Sequence, residues 1–383
     1  MGELSINYTN GALLGSSASI DAISGLVFNG VFSTTSVTGL TAISGSSIIQ
    51  ISSISDAESK GITASLMPVV NYQIANFFKI KPDGLLWVAF ISNSATTYGT
   101  ELLYIQKFAE GKINNLGIFD TRTLSDTIVA NINTALVGLK SAKMNAVGIV
   151  GMNTSGMTYT ALPDFAAAAY SNLAVVIAQD GDQTLTPTAS LPEVGAVLGA
   201  TANMAVNVSP AYNALNNYNA ITSNPALGNG VAINTLSDSY LKTNIFDKNY
   251  VSFQKYVGDN SVYLNQSFTA TSKIDDYNSI ERNRTINKAA RQINLYLSRE
   301  LNGPIQLTSE GYIAAARVNE LQVLAGTGLA NMKGNGEISD YKVFIDPKQN
   351  ILGTNTLQVV VKIVPYATAN EIVVSLGFAA SIA

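Results

Sequence analysis

The chain has 383 residues, a formal net charge of −4 at neutral pH, and neither cysteine nor histidine. Without cysteine there are no disulfides, thiolate metal sites or thiol nucleophiles. Without histidine the commonest general base and metal ligand is gone, and the acidic balance argues against nucleic acid as the main partner.

Hydrophobic residues make up 47% of the chain and charged ones 13%, about half the usual share of charge. No window approaches the roughly 18 uninterrupted apolar residues of a membrane span, so no direct membrane insertion is expected. A surface this poor in Lys and Glu suits burial against other subunits. The alternative is a large monomer with a Ser/Thr/Asn surface. The length accommodates two or three domains.

The opening, Met1-Gly2-Glu3-Leu4-Ser5-Ile6, lacks a basic n-region and an apolar h-region, so no secretory signal is expected. Ile6 stands where a myristoylation site requires Ser or Thr. Leu4, Ile6 and Tyr8 alternate with polar neighbours up to Asn10-Gly11, which predicts a half-buried strand. Such a strand needs a sheet edge, in its own domain or in a neighbour's. Short β-prone runs follow at Gly25–Phe32, Ser36–Ile43 and Ser47–Ile54, then a helix start at Ser55-Asp56-Ala57-Glu58. Leu85–Ile91 reads as a central strand buried on both faces. Leu102–Phe108, Gly117–Phe119, a helix over Asp126–Lys143 and the run Ala146–Met152 extend the alternation. A helix-like stretch at Asp164–Ser171 and a strand at Ala174–Ala178 follow. This order predicts a three-layer α/β domain with a partly parallel sheet. Leu191–Met204, rich in small residues, predicts a packed interior helix, and Asn207–Gly230 a loop.

The chemistry-bearing patterns are few. Gly326-Thr327-Gly328 mimics half of a dinucleotide loop but follows a helix, and no phosphate loop or nucleophile elbow occurs. Asp180-Gly181-Asp182 lacks the third acid and the later Glu of an EF-hand. Asp275-Asp276 precedes a helix and suits its dipole. No catalytic, metal or cofactor site is predicted.

Near the C-terminus the pattern tightens. Ser279 predicts the cap of a helix whose wheel puts Ile286, Ala289, Ala290, Ile293, Leu297 and Leu301 on one face. Arg284, Lys288, Arg291 and Arg299 fall opposite. Between residues 280 and 300 there are five basic side chains and two acidic ones, a solvated face or a contact face. After Gly303-Pro304 a second helix is expected over Ser309–Ala325, with Arg317 inside its apolar arc. That arginine either snorkels from a core face or meets a carboxylate on another chain. A Gly-rich loop then leads to the last strands. Leu357, Val359, Val361 and Ile363 share one face of a strand over Leu357–Val364. Ile372, Val374, Leu376 and Phe378 share one face of a final strand over Glu371–Phe378.

The order of parts from about Val257 to Phe378, opening on the turn Gly258-Asp259-Asn260, resembles the assembly domain of phage tail sheath proteins. The resemblance implies an α/β (α+β) chain with an N-terminal arm strand over residues 1–20 and an outer α/β domain over 21–255. An assembly domain over 256–351 and a C-terminal β arm over 352–383 would follow. It further implies a sheath subunit forming stacked hexameric rings around a tail tube, whose contraction ejects the tube without enzymatic activity or cofactor. Its partners would be itself, the tube protein, and baseplate and terminator proteins. It would be assembled in the bacterial host cytoplasm into a phage tail or injection-system particle. Arg317 and Lys333, or the rival set Arg284, Lys288 and Arg291, would meet the tube. Other structural tail parts (tube, baseplate or fibre) are the first alternative, and a carboxylate-based metal-dependent enzyme the second.

Overall fold

The computed structural model describes residues 20–43, 45–91, 98–185 and 190–378. Strands β1 (Ser24–Asn29), β2 (Thr41–Ile43), β3 (Ser46–Ile51), β4 (Leu86–Ile91), β5 (Asn115–Thr123), β6 (Val147–Asn153), β7 (Leu173–Val176) and β8 (Tyr250–Val251) form one sheet. Its order is β8-β7-β6-β5-β1-β4-β3-β2. Every pairing from β8 to β4 is parallel. β3 and β2 close one edge in antiparallel fashion. The parallel strands are near-continuous apolar runs because helices cover both faces. The expected central strand is β4, paired between β1 and β3 with Leu26 opposite Val88.

The interior helix predicted from small residues is α4, and its glycines explain its composition. Helices α1 (Pro68–Ile80), α2 (Gly99–Phe108), α3 (Asp126–Ser141) and α4 (Val194–Asn203) flank the sheet. A Cβ at Gly117 or Gly151 would strike Val194 of α4, and one at Gly148 would strike Leu136 of α3. The two helices therefore lie on opposite faces. α1 covers α4 so closely that a Cβ at Gly195 would sit 2.0 Å from the Gln73 carbonyl oxygen. Residues Val194 to Ala202 are buried without a break.

Asp164–Ser171 is not a helix. The Asp164 carboxylate accepts the Ala166 N–H in a local turn, and Phe165 is anchored edge-on against Tyr250. Ala169–Tyr170 then pairs with Ala270–Thr271. Tertiary contacts override the helix propensity of the Ala-rich run.

α5 (Ile280–Leu297) starts where Ser279 accepts the Arg282 N–H, as expected. Its wheel is read differently by the fold. Glu281, Asn283, Arg284, Thr285 and Asn287 are buried, whereas Ala290 and Leu301 are exposed. The first half of α5 packs on the α/β body through polar side chains. α6 (Ala315–Gly334) begins later than expected and continues through the predicted Gly-rich loop. Gly328 lets α6 touch α5, since a Cβ there would lie 2.5 Å from Gln292 Cβ. The helix ends in a Schellman closure: Gly336, at φ +71, donates to the Lys333 carbonyl and Glu337 donates to that of Met332.

Three cores result. A large one runs from Ala22 to Ile280 and includes Val262, Leu264 and Ala270. By packing, residues 256–280 therefore go with the α/β body. A second gathers Ala289, Leu329, Met332 and Ile338, and a third Ile313, Val318, Leu321 and Ile345.

Candidate assembly surface

The C-terminal module carries a two-stranded antiparallel sheet, β9 (Asp340–Phe344) and β10 (Val360–Val364), with Val343 opposite Val361. Tyr341, Val343, Val361 and Ile363 pack on the second core. The other face, with Lys342, Phe344, Val360, Lys362 and Val364, is exposed. Each strand has one neighbour among the described residues, which leaves two outer edges with unpaired backbone groups. Along the β9 edge an open groove of about 520 Å³ runs between the strand and α6, lined by Val323, Gly326, Ala330, Tyr341 and Val343. The predicted inward alternation of Leu357, Val359, Val361 and Ile363 is present, all four half-buried. The ladder covers only the second half of that run. Leu357 and Val359 pack on the third core, and Gln349 brackets the Gln358 backbone by bonds of 2.7 and 2.9 Å.

The expected final strand, Glu371–Phe378, makes no ladder with the described residues. Ile372, Val374, Leu376 and Phe378 are 81%, 76%, 96% and 111% exposed. A lone strand has no hydrogen-bond partner, and no edge among the described residues pairs with this segment. Leu4, Ile6 and Tyr8 lie outside the described residues.

The five cations expected at a tube all have partners inside the chain. Arg284 is buried and donates at 3.0 Å to the carbonyls of Met204 and Ala205 at the end of α4. Burial lowers its guanidinium to a pKa of about 10, against the pull of Asp21, and it stays protonated at neutral pH. Lys288 lies 2.6 Å from both Asp21 and Glu337, and Arg291 lies 2.6 Å from Asp21. Burial pulls the pKa of Arg291 down, opposed by Asp21. The rival basic face is thus an enclosed junction, because acidic partners distant in sequence fold onto it. Arg317 pairs with Glu320 at 2.7 Å and Glu300 at 2.5 Å, which together raise its pKa. The arginine in the apolar arc therefore meets carboxylates of its own chain. Lys333 is half-exposed and pairs with Asp340 at 2.8 Å, which raises its pKa. Sequence reasoning missed Asp21 and Glu337. The spacing of Glu281, Arg284, Lys288 and Arg291 along one helical stripe was the available signal.

Among the described residues no cluster of three acidic side chains could hold a metal ion, and no helix is long and apolar enough to cross a membrane.

The whole-chain architecture has solved counterparts. The contracted helical sheath of the anti-feeding prophage superposes with a TM-score of 0.65 at 15% identity, covering 98% of this chain and 98% of that one. This chain has the contractile-sheath fold. The contracted sheath complex of the extracellular contractile injection system PVC gives 0.59 at 14% identity, over 98% and 97% of the two chains. A structure of the anti-feeding prophage baseplate gives 0.62 at 15% identity, over 98% of each chain. Residues 276–383 match the family described as DUF2586, C-terminal domain. No curated protein matches by sequence. The sheath fold spans both the α/β body and the C-terminal module.

Proposed function

We propose that the chain is a structural sheath subunit, without enzymatic activity, that stacks as hexameric rings around a tail tube and contracts to eject it. The observation that carries this reading is the pairing of an open-edged sheet, β9–β10, with an exposed apolar tail at 372–378. Strand addition between chains satisfies both, through main-chain hydrogen bonds that are indifferent to the sliding of the bodies. In this reading Leu4–Tyr8 and Ile372–Phe378 of neighbouring chains extend the sheet at its two edges. The particle is a phage tail or an injection system assembled in the bacterial cytoplasm, with baseplate and terminator proteins at its ends. Arg317 and Lys333, on the more open α6 side, are the proposed tube contacts. The deciding experiment is electron microscopy of the purified chain. Striated sleeves wider than a bare tube support the reading. Thin tubes, fibres or single rings that never stack would assign it to another part of the tail.

A further inference from the structure

Four side chains of α5 lie on one stripe, at positions 281, 284, 288 and 291, a spacing that places them one above another. Between them they reach widely separated parts of the chain. Glu281 is buried and accepts from Ser267 Oγ at 2.8 Å and from Thr368 Oγ1 at 3.3 Å. Arg284 holds the carbonyls that end α4. Lys288 joins Asp21 to Glu337, the residue after the turn that closes α6, and Arg291 adds a second hold on Asp21. Asp21 is the second of the described residues at the N-terminal end. Thr368 lies within the exposed run 364–378, and its hydroxyl is held to Glu281.

We infer that α5 is the common mooring of the two ends of the described chain, at Asp21 and at Thr368, and that Glu281, Lys288 and Arg291 are the positioning residues that hold those two points on the body. The chemistry favours orientation over adhesion. Apolar packing is non-directional, whereas a buried ion pair holds only near one geometry, and losing one partner leaves an uncompensated charge. Arg284 ties the same stripe to the α/β body, so a pull on either terminal segment reaches α4 through one helix. The use of this mooring rests on the proposed sheath reading; its existence can be tested in the isolated chain.

The absence of cysteine allows a nitroxide at a single introduced thiol, Ile20→Cys or Ala369→Cys, both exposed positions. The full chain should give hindered spectra at both sites. Asp21→Asn should release the label at 20 but not the one at 369, and Asp21→Glu should restore the hindered line. Thr368→Val, which removes one hydroxyl, should release only the label at 369. Ser279→Ala touches neither terminal segment but frays the first turn of α5, and it should also release the label at 369. Unchanged spectra in Thr368→Val and Ser279→Ala would overturn the mooring even if Asp21→Asn failed to fold. A full chain that forms no sleeves while the labels respond as stated would remove the sheath reading and leave the mooring standing.

Discussion

In the α/β body, Leu26, Val27 and Phe28 are wholly enclosed by strands and helices of the same chain, whereas no residue of β9 or β10 is fully buried. The body keeps its sheet edges short: they are the two-residue β8, whose Tyr250 carbonyl accepts from the Asn265 and Gln266 side chains, and the three-residue β2. The module has two cores of four buried residues each and leaves both sheet edges open. Small cores contribute little on their own, and open edges invite pairing. The difference teaches where stability resides. The body completes its own core, and in the proposed reading the module is completed by its neighbours.

Removing the tail should expose this division most strongly. Deletion of residues 369–383, which keeps Thr368, should abolish long sleeves while leaving the thermal unfolding of the isolated chain nearly unchanged, as seen by microscopy and calorimetry. Sleeves of normal length from the truncated chain would mean that the exposed segment is a bystander.

Core truncations should separate the two regions next. Leu26→Ala in the body should cost about 3–5 kcal/mol, the range for a fully buried leucine. Ile363→Ala, half-buried in β10, should cost about 1 kcal/mol in the isolated chain and more once sleeves form. Equal losses in the isolated chain would erase the contrast.

A third prediction uses pH to probe the body's interior. Glu193, wholly buried at the start of α4, accepts from Tyr72 and Asn76. Burial raises its carboxyl to about 7, with Asp180 adding to the rise and Tyr72, Asn76 and Lys79 opposing it. The folded state therefore binds this proton more tightly than the unfolded one. Its stabilising contribution is full below about pH 4.5 and fades as pH rises through about 7. Glu193→Gln, which cannot ionise, should gain on the natural chain by up to about 3 kcal/mol between pH 5 and pH 8. The check is denaturant unfolding at both pH values, and a constant difference would contradict the buried-acid account.

The smallest effect concerns α6. Its outward face carries Asn319, Val323, Thr327, Ala330 and Asn331, and its two cations are already paired. Lys333→Glu should weaken co-assembly with the tube by less than about tenfold, and rising salt should reduce the difference between variants. A loss that is large and insensitive to salt would mean that Lys333 is enclosed in the contact.

The α/β order, the Ser279 cap, the interior helix of small residues and the alternation from Leu357 to Ile363 were all legible, because each is written in local periodicity. The path of α6 was not. Gly326 and Gly328 read as loop punctuation, yet they lie inside α6, where Gly328 faces Gln292 of α5 too closely for a side chain and Gly326 packs tightly on Tyr341. The basic stripe of α5 was misjudged for the converse reason. A helical wheel assigns charge to solvent and says nothing of Asp21, which arrives from more than 260 residues away. The alternation over Glu371–Phe378 predicts a strand, but the segment pairs with no edge among the described residues and forms none.

The most direct test of the central claim is cross-linking between chains. One version would carry a single cysteine in place of Val374, and a second would carry one in place of Lys342 or Lys362, at the centres of β9 and β10. Mixed, assembled and mildly oxidised, they should give a mixed disulfide dimer with at least one of the two edge positions, lost when sleeves are dissociated first. If no mixed dimer forms, while a chain carrying both cysteines closes on itself, the tail completes its own sheet and the claim that neighbours finish the module is wrong.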